Sequence, residues 1–379
     1  MHRSPALGGR RARDGRAQLD AAAGAVRVTA AVPSVEEAPF GLTGAGDAVR
    51  LYTLRNRNGV VVRITNFGGI VTEISVPDRF GRFANVTLGY PTLEPYLQRS
   101  PYFGALIGRY ANRIAHGRFR IGDRQFALPV NNGSHHLHGG VRGFDKALWT
   151  ARAHVTSEAA VLVLRHTSPD GDQGYPGRLE VEARYELTDA DALHLSFDAV
   201  ADRLTPVNLT SHAYFNLAGA GAPTILDHEL EICARRFTPA DAGLIPTGEL
   251  REVAGTPFDF TRPQAIGARI GGGDPQLHCA GGYDHNFALD GPAGALRQAA
   301  RLVHHGSGRT LDLLTDAPGL QFYSGNFLDG ADGFAHRSGL CLEPQRFPDA
   351  PNQPGFPDPW LRPGERYRAR LVYRFGLTP

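Results

Sequence analysis

From Val49 to Phe375 the apolar residues recur with a period of two, and no window of about 15 residues keeps a helical period of 3.6. Leu179, Val181, Ala183, Tyr185 and Leu187 alternate with Glu180, Glu182, Arg184 and Glu186, the pattern of a strand with one face in a core and one in water. Across Asp189-Ala190-Asp191 it continues through Leu193, Leu195, Phe197 and Ala199. Val49, Leu51 and Thr53 alternate with Arg50, Tyr52 and Leu54, and Asn58-Gly59 then marks a hairpin back through Val60 to Thr65. Near the C-terminus Tyr367, Ala369, Leu371, Tyr373 and Phe375 alternate with Arg366, Arg368, Arg370 and Arg374. Helical turns are expected only near Thr92–Gln98 and Pro263–Arg269, and the Gly/Pro-rich stretch Pro344–Gly364 reads as a long surface loop. Strand after strand without βαβ alternation predicts an all-β fold, a large antiparallel β-sandwich, as one domain over residues 46–377.

Composition agrees and narrows the chemistry. The 46 glycines and 27 prolines supply turn punctuation, and no apolar run is long enough to span a bilayer. The net charge is +2, and the C-terminal arginines lack the aromatic interleaving of a nucleic-acid groove, so neither nucleic acid nor membrane is expected as a partner. Lys146 is the sole lysine, which confines Schiff-base chemistry to one candidate. Cys233, Cys279 and Cys341 are widely spaced and odd in number, so no disulfide framework and no metal knuckle is read, and a cytoplasmic location is expected. Residues 1–45 differ from the rest: four arginines lie between Gly8 and Arg16, and Ala21–Val32 is mostly Ala, Gly and Val. Asp20 and Arg27 interrupt the apolar part, so export is the weaker reading, and a disordered or non-native N-terminal extension is expected.

Five polar clusters break the pattern: Gly108–Ile114; Ser134–Gly140 followed by Gly143–Lys146; Asn208–Leu217; Gly281–Phe287; and Leu340–Phe347. In the second, His136 and His138 are expected on one strand face. In the third, Asn208, Thr210, His212, Tyr214 and Asn216 are expected to face one way as the floor of a wet cleft, because so many buried polar groups need partners. In the fifth, Glu343 ends an apolar run, where burial raises a carboxyl pKa. There is no GxGxxG after a strand, no phosphate loop and no GxSxG. His, Asp, Glu, Arg and Asn beside aromatics suit a sugar, whose hydroxyls take polar partners and whose C–H faces take rings. A carboxylate and a histidine at the anomeric end form a base and acid pair. His138, His212 and a carboxylate could instead hold a metal, and spacing alone does not separate the two readings.

The segments Asn66–Gly69, Ile107–Ile114, Leu137–Gly140, Gly143–Trp149, Asn208–Gly219, Gly282–Leu289, Gln321–Asn326 and Glu343–Pro354 resemble aldose 1-epimerase (galactose mutarotase). The runs NLTSHAYFNL and PDAPNQP are the specific ones, whereas LHGG alone is weak. The resemblance implies the galactose mutarotase-like supersandwich and an isomerase that interconverts α and β anomers of free aldoses (glucose, galactose) without cofactor or metal. By the same resemblance Glu343 is the general base at the C1 hydroxyl and His212 the general acid at the ring oxygen. His138, Asn112, Arg113, Asp284 and Gln321 then bind the monosaccharide substrate, and the protein is a monomer or homodimer. Pro344-Gln345-Arg346 departs from the Thr-Gln-His expected after the glutamate, a change for the loop's shape more than for the chemistry. Asp284 or Glu343 is expected to raise the His212 pKa toward neutrality while Glu343 stays ionised. The competing readings are a hexose-phosphate epimerase, with Arg109 and Arg346 in a phosphate clamp, and a non-catalytic sugar-binding protein on the same fold.

Overall fold

The Leu179–Thr188 strand shows how the alternation becomes a sheet. In the computed structural model, which describes residues 32–98, 100–331 and 333–378, its leucines, Val181, Ala183 and Tyr185 are buried while the charged partners point away. Register sets Tyr185 against Leu195 and Leu187 against Leu193 of Ala192–Ala201. The turn closes with Asp191 in the left-handed region at φ 54°, where its carboxylate accepts from Asn56 Nδ2 at 2.6 Å.

These two strands belong to a nine-stranded sheet ordered Thr150–Val155, Ala159–Ser168, Leu179–Thr188, Ala192–Ala201, Tyr367–Leu377, Arg309–Thr315, Arg297–His304, Glu229–Ile232, Gln264–Ala265. A five-stranded sheet runs in chain order from Ser34–Leu42 to Phe83–Asn85, and a six-stranded sheet carries Tyr214–Phe215, Leu340–Gln345, Gly319–Tyr323, Asp284–Ala288, Arg236–Thr238 and Arg251–Glu252. Neighbours in all three are antiparallel. One core joins them, with Ile64 from the first, Leu162, Leu195 and Leu311 from the large sheet, and Phe287, Leu320 and Leu342 from the third. This is the expected all-β sandwich. The C-terminal arginines are a solvated face, as read: Arg366 and Arg368 pair with Asp198, Arg370 with Asp316 and Arg374 with Asp312.

The boundary at residue 45 is corrected. Ser34–Leu42 is a strand, registered Glu37 to Tyr52 and Ala38 to Leu51, with a bulge between Pro39 and Gly41. Pro39 and Gly41 hide it from a pattern search, because both residues are poor strand formers and the bulge resets the period. The expectations for residues 1–31 lie outside the described residues. The helical turns fall at Glu94–Gln98 and, as one 3₁₀ turn, at Ile266–Ala268. An unforeseen helix, Pro275–Ala280, is capped by the Asp274 side chain on Gln276 N and ended by Gly281 at φ 66°. The Pro344–Gly364 stretch is not simply surface, since Phe347, Asp349, Ala350 and Phe356 are buried. Among the described residues no helix is long and apolar enough to cross a membrane.

The two faces of the large sheet differ in what they contribute to stability. Truncating core-facing Leu195, 1% exposed, to alanine is expected to cost about 2–5 kcal/mol. Glu182→Ala, on the outer face and paired with the exposed Arg165, is expected to cost less than about 1 kcal/mol. Equilibrium urea unfolding of both variants, at unchanged slope, measures the difference.

Candidate active site

Strand pairing on the six-stranded sheet lays polar groups in rows. Leu340 and Leu342 of Leu340–Gln345 point into the core, so Cys341, Glu343 and Gln345 share the other face. Register then sets Glu343 opposite Gln321 and Gln321 opposite Asn286, with Cys341, Tyr323, Asp284 and Tyr214 aligned in the next row. This face is buried but polar. Its groups bond in a chain: Gln345 Nε2 donates to Gln321 Oε1 at 3.1 Å, and Gln321 Nε2 to Asp284 Oδ1 at 2.7 Å. Asp284 Oδ2 lies 3.8 Å from Arg113 Nη1, and Arg113 Nε donates to Asn132 Oδ1 at 3.0 Å. Glu343 Oε2, Gln345 Oε1 and Asn286 Nδ2 are buried without a protein partner, and of these three residues Glu343 lines the cleft.

A second layer closes over this row. His212 sits between the two-residue strands Thr210–Ser211 and Tyr214–Phe215, and its Nε2 is 3.8 Å from Glu343 Oε1. Tyr214 stacks on its ring at 5.1 Å and Tyr102 at 5.7 Å, while His138 meets it edge to face at 5.1 Å. Asn112 and His138 hold each other: Asn112 N donates to His138 Nδ1 at 3.2 Å, and His138 N to Asn112 O at 3.1 Å. Tyr102, Asn112, His138 and Leu244, all with positive φ (52° to 65°), all line the cleft. Backbone strain of this kind persists where surrounding structure enforces it and gathers at functional sites. Gly139 (φ 86°) packs against the Gly108 carbonyl so closely that a Cβ would collide with it, which explains the glycine in LHGG.

The cleft so formed has a volume of about 520 Å³ and is lined by Asn112, Arg113, His138, His212, Asp284 and Glu343. Six of the seven expected site residues therefore meet in one place. The seventh, Gln321, is 3% exposed and sits behind Asp284 rather than on the cleft wall. Tyr102, Asn132, His135, Leu244, Tyr323 and Phe327 line the cleft without having been singled out. Phe327, 63% exposed and parallel to Tyr323 at 5.9 Å, offers a free ring face at the mouth.

Three sequence readings are corrected here. His136 and His138 do not share a face, because the left-handed turn at His138 breaks the alternation; His136 points away to Pro129 O and the Tyr175 hydroxyl. Of the polar run Asn208 to Asn216 only His212 and Tyr214 reach the cleft. Asn208 ties Ala111 O to the Arg346 backbone and Asn216 bonds Ser338 O, so these are internal cross-links. The third concerns charge: no carboxylate raises His212. Its burial dominates and pushes its pKa down to about 4, while burial and then Asp284 push Glu343 well up. Asp284 is raised by burial and lowered by Arg113, with the rise prevailing, and burial drives His138 well down.

A family model for aldose 1-epimerase matches residues 50–374. The bovine (Bos taurus) protein named galactose mutarotase is 46% identical over 353 residues, covering 91% of this chain and 99% of that protein. The Escherichia coli K12 aldose 1-epimerase is 38% identical over 87% of this chain and 96% of its own length. The crystal structure of galactose 1-epimerase from Lactobacillus acidophilus NCFM superposes with a TM-score of 0.82, at 29% identity over 92% of this chain and all of that one. The chain belongs to the aldose 1-epimerase family.

Two features of this epimerase separate its site from the competing readings. Arg109 is 2% exposed and its guanidinium donates to Gly177 O, Pro176 O and Thr205 Oγ1. It is a structural cross-link and unavailable to a phosphate, and Arg346 lies over the Tyr367 ring. Among the described residues the metal-type donors that approach within 4.8 Å of one another are His212, Cys341 and Glu343. The thiol, however, meets His212 Nδ1 and the carboxylate meets Nε2, so the imidazole turns a different nitrogen to each. Burial also holds the thiol pKa well up, which opposes the thiolate a metal requires.

The PDAPNQP run serves the epimerase from behind. Asp349, 1% exposed, accepts from Ala115 N, Asn352 Nδ2 and Gln353 Nε2, and its N–H donates to Arg113 O. It therefore anchors the backbone on which Arg113 is carried. Asp349→Ala is expected to cost about 1–3 kcal/mol through groups left unpaired and, by loosening Arg113, to raise KM more than it lowers kcat. Urea unfolding and saturation kinetics check the two parts separately.

Proposed function

We propose that this chain interconverts the α and β anomers of free aldoses, galactose and glucose among them, by general acid–base opening and closing of the pyranose ring. One observation carries the reading: a carboxyl group and an imidazole lie 3.8 Å apart at the base of a sugar-sized polar cleft. Asn112, Arg113, Asp284 and His138 are then the hydroxyl partners, and Gln321 acts through Asp284, which it holds. A cytoplasmic location belongs to the same reading, supported by three unpaired cysteines, and the working form is a monomer or homodimer.

The charge state supports a specific account of the proton movements. Burial disfavours both the carboxylate and the imidazolium, so the resting pair holds one proton in all, on Glu343. The ion pair, with Glu343 ionised and His212 protonated, contains the same number of protons and differs only in where one of them sits. A sugar hydroxyl beside Glu343 and the ring oxygen beside His212 Nε2 stabilise that ion pair. Glu343 then takes the proton from O1 as His212 gives one to the ring oxygen, and the C1–O5 bond breaks to leave an aldehyde. Rotation about C1–C2 presents the other carbonyl face. Closure runs both transfers backwards and restores the pair. Each positioned transfer supplies roughly 10²–10⁴-fold in rate.

Polarimetry of freshly dissolved α-galactose and α-glucose tests this. The enzyme is expected to accelerate the drift in rotation of both sugars, and Glu343→Gln and His212→Asn are each expected to lose at least about 10²-fold in kcat while still binding sugar. Near-normal turnover in either variant would falsify its role. The pH–rate profile provides a separate check. Activity needs one proton on the pair, so acid inactivates it by adding a second. Because His212 is held at about 4, the acid limb of kcat/KM is expected near pH 4, below the ordinary imidazole range, with activity flat across pH 5–7. An acid limb near 6.5 would show that His212 is not depressed in the working enzyme.

A further inference from the structure

The helix Pro275–Ala280 contributes no residue to the lining of the cleft, yet its Gln276 is tied to both of two stretches that do. One is the lip Ala242–Leu244, carried on a turn that closes between Ala240 and Pro246, and the other is Asp284. We propose that Gln276 is a positioning residue for sugar binding: it holds the lip against the strand that carries Asp284 and so fixes the spacing of these two walls of the cleft. The proposal rests on the cleft being the sugar site and on no particular route for the proton.

Gln276 meets Ala240 with both ends of its amide. Ala240 N donates to Oε1 at 2.7 Å, and Nε2 donates to Ala240 O at 2.9 Å. A backbone N–H only donates and a carbonyl only accepts, so these two bonds fix which end of the amide is oxygen. The same Oε1 faces His285 Nε2 at 3.2 Å. His285 Nδ1 accepts from Asp284 N at 3.2 Å, which leaves the hydrogen of the neutral imidazole on Nε2, where Oε1 takes it. His285 is neutral because burial pushes its pKa down to about 3, and Phe258 and Phe237 meet its ring edge to face at 4.7 and 5.9 Å. An unbroken path of hydrogen bonds thus runs from Asp284 N through His285 and Gln276 to Ala240.

Beyond Ala240 the chain turns on itself. Asp241 Oδ1 accepts from Gly243 N at 2.8 Å and from Ile245 N at 3.0 Å, and Leu244 is held in the left-handed region at φ 60°. These bonds make the turn stiff within itself, and side chains fasten its ends to the body. Besides Gln276, the Cys279 thiol of the same helix donates to Asp241 O at 2.9 Å, and Gln353 Nε2 donates to Pro246 O at 3.2 Å. A stiff turn hung this way shifts as a unit when a fastening is lost. Gly243 packs so close to His135 Nε2 that a Cβ would collide with it, so the direction open to a loosened lip is away from His135, which widens the cleft. Ala240 is buried, and its two backbone groups have no ready exchange with water when Gln276 is removed.

Gln276→Leu, which keeps the bulk and removes both bonds to Ala240, tests the proposal. Binding is read by calorimetric titration with galactose, turnover by polarimetry, and the lip by hydrogen exchange at the Ala240 amide. Kd and KM are expected to rise about tenfold, the equivalent in affinity of the net contribution of the lost hydrogen bonds, with kcat within about twofold and the Ala240 amide exchanging faster. Gln276→Glu keeps the acceptor for Ala240 N and His285 but gives up the donor to Ala240 O, and its affinity is expected to fall between the two. Unchanged galactose affinity in Gln276→Leu overturns the proposal, as does a loss confined to kcat. Should Gln276→Leu fail to fold, Gln276→Glu decides, and wild-type affinity in that variant overturns the proposal. A wild type that binds galactose without turning it over would remove the acid–base reading and leave this assignment standing.

Discussion

In the proposed acid–base reading, a single proton shared between two buried groups governs this site. Glu343 is 2% exposed and His212 5% exposed, and neither can be charged alone there at small cost. As a pair they carry one proton between them, and moving it from carboxyl to imidazole changes no net charge. The site can therefore be dry without trapping an uncompensated ion, and the charged form is drawn out by the hydroxyls of the sugar it acts on. Preorganised polar partners in a low-dielectric cleft act more strongly than the same groups in water.

The fold makes such burial tolerable. A strand exposes two faces, and in the six-stranded sheet one face joins the apolar core while the other carries Glu343, Gln321, Asn286 and Asp284 in register. Polar groups arrayed this way bond one another along Gln345, Gln321, Asp284, Arg113 and Asn132, which ties the row together, while Glu343 Oε2, Gln345 Oε1 and Asn286 Nδ2 stay unpaired. Groups from loops complete the cleft. Their backbones are held in left-handed conformations by Asn208, Asp349 and the Asn112–His138 exchange. Rigid strands thus supply the carboxyl of the proposed proton-transfer pair, and strained, well-anchored loops supply its imidazole and the proposed hydroxyl partners.

Period-two alternation made the sandwich legible, because a buried strand face must be apolar and a solvated one need not be. It also placed Glu343, which ends an apolar run. It failed wherever backbone geometry departs from the ideal strand. The bulge at Pro39 and Gly41 concealed the first strand, and the left-handed turn at His138 sent His136 to the opposite side. Polar residues mark a site in sequence whether they touch the ligand or brace what does. Asn208, Asn216, Gln321, Arg109 and Asp349 all read as candidate binding groups or as loop, and all of them brace. Distances between distant strands carry no trace along the chain, so the pKa of His212 was misjudged: sequence showed the carboxylates, and burial, which outweighs them, appeared only with the fold. Tyr102 and Phe327 were passed over for the same reason, since an aromatic in a β-protein reads as core until its exposure is known.

Anomerisation places an unusual demand on such a site. The reaction runs both ways between substrates of similar energy, and closure of one anomer is the microscopic reverse of the opening of the other. The C1–O5 bond breaks and re-forms on the other face of C1, while O1 stays bonded to C1 and changes position as that carbon turns. A fixed acid at O5 and a base able to meet O1 in two positions satisfy both halves of the cycle. His212 is clamped between Tyr102, Tyr214, His138 and Cys341 and suits the first task. Glu343, with Oε1 facing His212 across 3.8 Å and its side chain on the cleft wall, suits the second. A pair near neutrality, with its proton free to reside at either end, serves opening and closing equally. A pair locked as a strong ion pair would favour one direction of proton transfer and slow the return.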